Sequence, residues 1–377
     1  MLPLPPFALH RPRTVQEAIA LLDRLGAGAM LIAGGTDVLP SMKLGLAAPR
    51  DLVALDGIAR LRGVRLDADV LRIGATTSLD VLGSDRTVAE IAPALAEAAR
   101  AVGGPHHRRM GTLGGNLCLD TRCRFYDQSA FWRGALGFCL KKDGNQCHVV
   151  PGGQRCVAAA SNDTAAAAIA LEGRVVLAGP EGERTVSLRD FYTANGLANT
   201  VRAPGEILLE LAVPLRRGRR SAYEKLRRRA AIDFPLLSVA VRADVDDDVV
   251  VALDVVVSAL AARPRTVVGA AAAVGRAPAS VDLALFSQAL HHANNPARAL
   301  AAAYRLLKRG GRIAVLDLLA HQFEQAREMY ADTWLGFTEA DLHRMLEGAG
   351  FSDIEVQVVD REEQPPHFQT LFASGRK

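Results

Sequence analysis

The residues best suited to chemistry are five cysteines and two glycine-rich loops. Cys118, Cys123, Cys139, Cys147 and Cys156 are all the cysteines of the chain, and the last four follow the spacing Cys123-x15-Cys139-x7-Cys147-x8-Cys156. Thiolates are soft metal ligands, and an odd set of five in a reducing compartment argues for ligation rather than a disulfide framework. Four thiolates are the usual complement of a [4Fe–4S] cluster, one per iron. The spacing is wider than zinc ribbons use, since no C-x2-C pair exists, although a four-cysteine zinc scaffold without a redox role stays an alternative. Cys118 reads as a small buried residue rather than a fifth ligand, and His148, beside Cys147, as a solvated loop histidine. Phe125, Tyr126, Phe131 and Trp132 form the densest aromatic group. They are read as shielding for the metal centre, with an ordinary satellite core as the alternative.

The loops are Ala33-Gly34-Gly35-Thr36-Asp37, at the end of a short apolar strand Ala29–Ala33, and Thr112-Leu113-Gly114-Gly115-Asn116, which runs into the cysteines. A dinucleotide pyrophosphate is best held where several backbone N–H groups converge and no Cβ keeps its oxygens away. Gly34 and Gly35 fit that need, so valine at either position is expected to push a Cβ into the pyrophosphate path. Thr36 offers a hydroxyl, and Asp37 is placed to bond hydroxyls or to cap the next segment. Taken alone, each Gly-Gly pair is an ordinary turn. Neither is a G-x-G-x-x-G fingerprint, so a standard dinucleotide-binding domain is not implied.

The elements that must position these residues form an α+β pattern without long helices. Thr14-Val15-Gln16-Glu17 has capping-box form, with Ala18, Leu21, Leu22 and Leu25 at helical spacing behind it. A strand at Leu71–Ala75, a helical run Ala89–Ala101, and strands at Val175–Ala178, Ile207–Val213, Leu236–Val241 and Val249–Ser258 follow. Composition then narrows, and Gly275–Ser280 reads as a seam. Beyond it, strand Leu283–Ser287, helix Pro296–Leu307, strand Arg312–Leu318, helix Gln322–Asp332 and a capped helix from Thr338 alternate as in an α/β unit. A chain of 377 residues, 49% hydrophobic and 23% charged, is expected to form two or three soluble globular domains. The start has no secretory pattern and no run of about 18 apolar residues occurs, so a cytoplasmic protein without membrane partners is expected. The net charge of +4 decides little. The basic run Arg216-Arg217-Gly218-Arg219-Arg220 with Lys225, Arg227, Arg228 and Arg229 reads as a solvated turn and strand edge rather than a nucleic-acid surface.

Leu31-Ile32-Ala33-Gly34-Gly35-Thr36-Asp37, Ile73-Gly74-Ala75-Thr76-Thr77, Gly111-Thr112-Leu113-Gly114-Gly115-Asn116-Leu117 and Ser161-Asn162-Asp163 together resemble the FAD-binding medium subunits of molybdenum hydroxylases. The resemblance covers about Leu4 to Val274. It implies a two-subdomain FAD-binding fold over 1–57 and 58–215, followed by a truncated α+β C-terminal domain over 216–276. It also implies that Met30 to Asp37 and Thr112 to Asn116 hold the FAD, that Asp163 bonds its ribityl or ribose part, and that Lys225 sits close to the flavin. The segment Leu119–Val157 intervenes where most of that family has only a few residues. Its cysteines, with Cys123-Arg124-Phe125-Tyr126-Asp127-Gln128-Ser129 and Ala230–Pro235, resemble the beta subunit of 4-hydroxybenzoyl-CoA reductase. That implies an iron–sulfur insertion at 118–158 with Cys123, Cys139, Cys147 and Cys156 on a [4Fe–4S] cluster, expected to be separate from the first glycine loop. A molybdopterin-containing large subunit, a [2Fe–2S] small subunit and a ferredoxin-type donor or acceptor are the implied partners. No catalytic residue is expected on this chain, because the implied substrate site lies on the large subunit.

The tail, about Val281 to Lys377, resembles the second half of a class I S-adenosylmethionine-dependent methyltransferase, a partial Rossmann-type half-domain. The first half, with the cosubstrate's glycine loop and acidic ribose ligand, is absent, so methyl transfer is not expected. A natural fusion, a recombined pseudo-domain and an artificial chimera all fit. The alternative function is a methyltransferase-derived module whose activity lies in the tail.

Overall fold

The computed structural model describes residues 2–246, 249–267, 281–287, 289–329, 332–362 and 367–377. The expected seam Gly275–Ser280 lies outside them. The chain divides into two compact units, Met1–Ala271 and Ala272–Lys377.

In the first unit, helix Val15–Leu25 starts where the capping box places it. Thr14 Oγ1 accepts the Glu17 N–H at 3.1 Å, and the Glu17 carboxylate accepts the Arg13 N–H at 2.7 Å. Its buried stripe of Val15, Ala18 and Leu22 shares a core with a parallel sheet in which Asp51–Ala54 lies between Ala8–His10 and Ala29–Ile32. A second, antiparallel sheet runs in the order Val64–Asp67, Val70–Gly74, Ile207–Pro214, Arg174–Gly179, Gly182–Ser187. A third, also antiparallel, runs Arg265–Thr266, Val249–Ser258, Leu237–Asp246, Arg219–Leu226. Helix Asp163–Ala170 is buried at every residue and packs on strands of this third sheet and on helix Pro93–Ala101, which explains its all-round apolar sequence. Leu71, Leu95, Leu113, Ile169 and Leu211 share one core with Tyr223, Ala240 and Val256. The strands after residue 216 thus contribute side chains to this same core. The single helical run expected over Ala89–Ala101 is two helices, Arg86–Ile91 and Pro93–Ala101. Pro93 has no N–H to continue the first and serves as an early residue of the second.

In the second unit the strand order is Val281–Ser287, Leu307–Leu318, Gln369–Arg376, Ser352–Arg361. The first pair is parallel and the other two are antiparallel. Asn295 caps helix Pro296–Leu306, and Thr338 caps helix Glu339–Gly348. Leu290, Leu300, Ile313, Val315, Leu342 and Leu371 form its core. The strand expected from Arg312 begins at Leu307, directly after the helix, and the helix expected over Gln322–Asp332 is described only as Gln325–Met329. Among the described residues Val281–Ser287 lies at the sheet edge, with Leu283 and Leu285 exposed. No helix among the described residues is long and apolar enough to cross a membrane.

Candidate functional site

The two glycine loops, distant in sequence, meet in the first unit. Strand Ala29–Ile32 is the edge of the parallel sheet, and its carboxyl end delivers the chain into Ala33–Asp37. A Cβ on Gly34 would lie 1.8 Å from the carbonyl oxygen of Met110, just ahead of the second loop. Gly35 has φ +72°, and a Cβ there would touch Leu39 and Ile32 at 3.3 and 3.4 Å. The missing Cβ atoms thus face protein rather than an open phosphate path, which corrects the expected reason for glycine at both positions. Phosphate-binding capacity lies in the backbone instead. Among the described residues no hydrogen bond engages the N–H groups of Gly34, Gly35 and Thr36, and such a run of unspent donors suits anionic oxygens. Met30 is exposed, and Leu31, Ile32 and Ala33 are half-buried beside it. Asp37 caps nothing: its carboxylate pairs with the Arg122 guanidinium.

In the second loop Thr112 caps the short helix Leu113–Leu117, its Oγ1 accepting the Gly115 N–H at 3.1 Å. Gly114 is buried and donates its N–H to Ala75 O at 2.8 Å, whereas Gly115 is exposed. Leu113 belongs to the core, and Asn116 Oδ1 accepts the Thr164 hydroxyl at 2.6 Å and its N–H at 3.1 Å. These two side chains hold the loop in place, Leu113 through the core and Asn116 through helix Asp163–Ala170.

Asp163 and Lys225 come together as a buried ion pair, Nζ to Oδ2 at 2.9 Å. The other carboxylate oxygen accepts the Tyr223 hydroxyl at 2.7 Å, and Lys225 also donates to Ala101 O at 3.1 Å. Burial pushes the Asp163 carboxyl up against the opposing pull of Lys225 and Tyr223. Both residues therefore offer a ligand little free polar surface; what they do here is join the third sheet to helix Asp163–Ala170.

Cys123, Cys139, Cys147 and Cys156 line one cavity, with Phe125, Tyr126 and Lys141 beside them. Burial pushes the Cys123 and Cys156 thiols up, partly offset by backbone N–H groups of Phe125 and Tyr126 at the first and Ala158 at the second. Such thiols ionise when a metal centre takes the charge. Around one zinc ion with bonds of about 2.3 Å, sulfurs would sit about 3.8 Å apart. Among the described residues no three cysteine sulfurs lie within 4.8 Å of one another. This arrangement is too open for one tetrahedral zinc ion. Cys118 is outside the cavity and packs on the main core.

His148 is not a solvated histidine: it is half-buried, lines the same cavity, and its Nε2 meets Phe138 O. Phe125 packs against it and against Trp132, whereas Phe131 is 89% exposed and shields nothing. The insertion is also not separate from the first loop. Arg122, at its base, reaches Asp37, bonds Asp127 at 2.9 Å and covers the Phe234 ring at 5.0 Å. Arg133, with 1% of its side chain exposed, donates to Gly45 O at 3.1 Å.

Sequence reasoning missed Arg122, Arg133 and Lys141. Lys141 Nζ is buried among Asp120 Oδ1 at 2.8 Å, Thr121 Oγ1 at 2.9 Å and Gly196 O at 2.5 Å, and its charge lowers the Cys156 thiol. Charged residues inside an insertion read as solvent-facing; only their density among the cysteines was a signal. The basic run likewise hides one buried member, Arg219, which bonds Glu172 at 2.6 Å and Asp244 at 2.7 Å.

Residues 5–216 match the family described as FAD binding domain in molybdopterin dehydrogenase. Residues 238–315 match a methyltransferase domain family. That second match begins in Leu237–Asp246 and Val249–Ser258, which pair antiparallel, and reaches the parallel pair only after Val281. The carbon monoxide dehydrogenase medium chain of Hydrogenophaga pseudoflava is 36% identical over 226 residues, 60% of this chain and 65% of that one, so this chain spans just under two thirds of that relative. The aldehyde oxidoreductase FAD-binding subunit PaoB of Escherichia coli is 32% identical over 305 residues, 78% of this chain and 94% of that one. Carbon monoxide dehydrogenase from Hydrogenophaga pseudoflava lacking the Mo-pyranopterin moiety of the molybdenum cofactor superposes with TM-score 0.58 at 31% identity, covering 80% of this chain and 88% of that one. Two glycine loops joined backbone to backbone, with unspent N–H groups at their junction, thus sit in a fold shared with these oxidoreductase subunits, and the chain belongs to the FAD-binding medium-subunit family of the molybdenum hydroxylases, extended by a methyltransferase-like tail.

Proposed function

We propose that this chain is an FAD- and [4Fe–4S]-binding electron-transfer subunit of a molybdenum-containing hydroxylase or reductase complex. The kind we favour is the 4-hydroxybenzoyl-CoA reductase type, which removes a phenolic hydroxyl reductively. The observation that carries this reading is the convergence of Cys123, Cys139, Cys147 and Cys156 on one cavity, with no three of their sulfurs within the 4.8 Å that a single ion would need. Bound flavin would supply the interchange between one- and two-electron steps. The chain's own part is to hold the pyrophosphate on the Gly34–Thr36 amides and to keep the thiols in a shielded, cation-lined site. Arg122 would hold that site against the first glycine loop and Arg133 against the segment that follows it. The substrate would be bound elsewhere, on a molybdopterin-containing large subunit. A [2Fe–2S] small subunit and a ferredoxin-type donor or acceptor would complete the electron path in the cytoplasm. The tail resembles only the second half of a methyltransferase in sequence, and we assign it no methyl transfer.

Iron, acid-labile sulfide and flavin measured on anaerobically purified protein test this. The expected result is four irons per chain with FAD, iron falling in serine variants of each of the four cavity cysteines and unchanged in Cys118→Ser. Zinc in place of iron, or iron loss in Cys118→Ser alone, would overturn the assignment.

A further inference from the structure

Three histidines and two aspartates converge in the C-terminal unit, near the carboxyl end of its parallel strand pair. His291 and His292 end the helical turn after strand Val281–Ser287, Asp317 lies on strand Leu307–Leu318, and His321 follows that strand. Asp332 is brought in by its neighbours. The Trp334 N–H donates to His291 O and its indole Nε1–H to Ala293 O, both at 2.9 Å. His291, Asp317 and Asp332 are buried, at 3%, 0% and 5% exposure.

The chemistry is that of a ligand set. His291 Nδ1 donates to Asp317 Oδ1 at 2.6 Å, which fixes the ring and turns the Nε2 lone pair to the opposite side, toward Asp332. A carboxylate behind a histidine in this way is the usual outer support of a metal-bound imidazole. Both oxygens of Asp332 are buried with no hydrogen-bond partner, and a bare buried carboxylate is costly unless a cation meets it. His291 Nε2 stands 3.6 Å and His292 Nδ1 3.7 Å from Asp332 Oδ1. These separations are too long for hydrogen bonds, yet they approach the edge of a tetrahedron about 3.4 Å long that metal bonds of about 2.1 Å define. Donor atoms of all three residues lie within 4.8 Å of one another. His321 accepts the Phe323 N–H on Nδ1 at 3.3 Å, so its neutral ring carries the proton on Nε2. Its Nε2–H is a buried donor with no hydrogen-bond partner.

We propose that the C-terminal unit binds one divalent transition-metal ion through His291 Nε2, His292 Nδ1 and the Asp332 carboxylate, with Asp317 orienting His291. This two-histidine, one-carboxylate set leaves a position for water or a small oxygen ligand. The site shares no residue with the cysteine cavity or the flavin loops.

Zn2+ titrated into the full-length chain, with uptake measured by equilibrium dialysis and stability by thermal melting, tests this. The wild type is expected to bind one equivalent more than Asp332→Asn, and a chain with serine at all four cavity cysteines should keep that equivalent. His292→Ala, at a partly exposed position, is the second variant should Asp332→Asn fold poorly, and it should weaken Zn2+ by at least about a hundredfold. Added Zn2+ should raise the melting temperature of the wild type and leave that of Asp332→Asn unchanged. Equal uptake by wild type and both variants, or loss of all Zn2+ in the four-serine chain, would overturn the proposal.

Discussion

Gly34→Ala puts the junction of the two loops to a severe test with a single methyl group. The added Cβ would lie 1.8 Å from Met110 O and 2.5 Å from its carbonyl carbon, where ordinary contact begins near 3.4 Å. One loop must retreat by about 1.6 Å, and the obstacle is backbone on both sides, so no side-chain rotation relieves it. Overpacking a well-filled site costs about 1–3 kcal/mol and occasionally more, and a backbone collision belongs at the upper end. If the loops separate, flavin must pull them back. At about 1.4 kcal/mol per decade, a cost of about 3 kcal/mol weakens flavin binding roughly a hundredfold. Gly115→Ala is the control. Its Cβ would meet only Thr112 Oγ1, at 3.0 Å, with no other atom within 4 Å, and alanine in a helix gains up to about 1 kcal/mol over glycine. Flavin content after gel filtration, flavin titration followed by fluorescence, and thermal melting distinguish the two. A Gly34→Ala protein that holds flavin and melts like the wild type would refute the claim that close backbone contact between the loops builds the site.

Lys225→Met strands Asp163 in the core and should destabilise the protein by about 3–5 kcal/mol, whereas the double variant with Asp163→Asn should recover much of this in denaturant titrations. The Asp244 carboxyl is held below its usual range, chiefly by its hydrogen bond to Arg219. That stability is present above about pH 4 and is lost as the pH falls through the depressed native value. Arg219→Met should flatten this acid limb of a stability–pH profile, and an unchanged limb would exclude the pair as its source.

The flavin module was legible because its signals are local. Glycine pairs after an apolar strand, the Thr14–Glu17 cap and the strands at 207–213 and 249–258 depend on backbone geometry and short-range periodicity, which neighbouring residues encode. The cysteine grouping was legible too, since thiols of such spacing in a short insertion have few other uses. What each glycine avoids was not legible, because Met110 is far from Gly34 in sequence and nothing near either residue announces the contact. The same holds for Asp163, whose carboxylate is engaged by Tyr223 and Lys225, and for Asn116, engaged by Thr164.

By itself the sequence determined the α+β class of the main unit, the alternation of strands and helices in the tail, and the residues from which a dinucleotide site and a thiolate site are proposed. Only the tertiary structure decided how those residues are used. It turned Leu113 into the core, exposed Phe131, buried Lys141 and Arg133, tied Arg122 to Asp37, and brought His291, His292 and Asp332 to one point. The physical reason is that an ionic or metal-ligating side chain has no preferred partner along the chain. Its partner is set by which strands and helices share a core, and that assembly is written in the sum of many weak apolar contacts and in no motif.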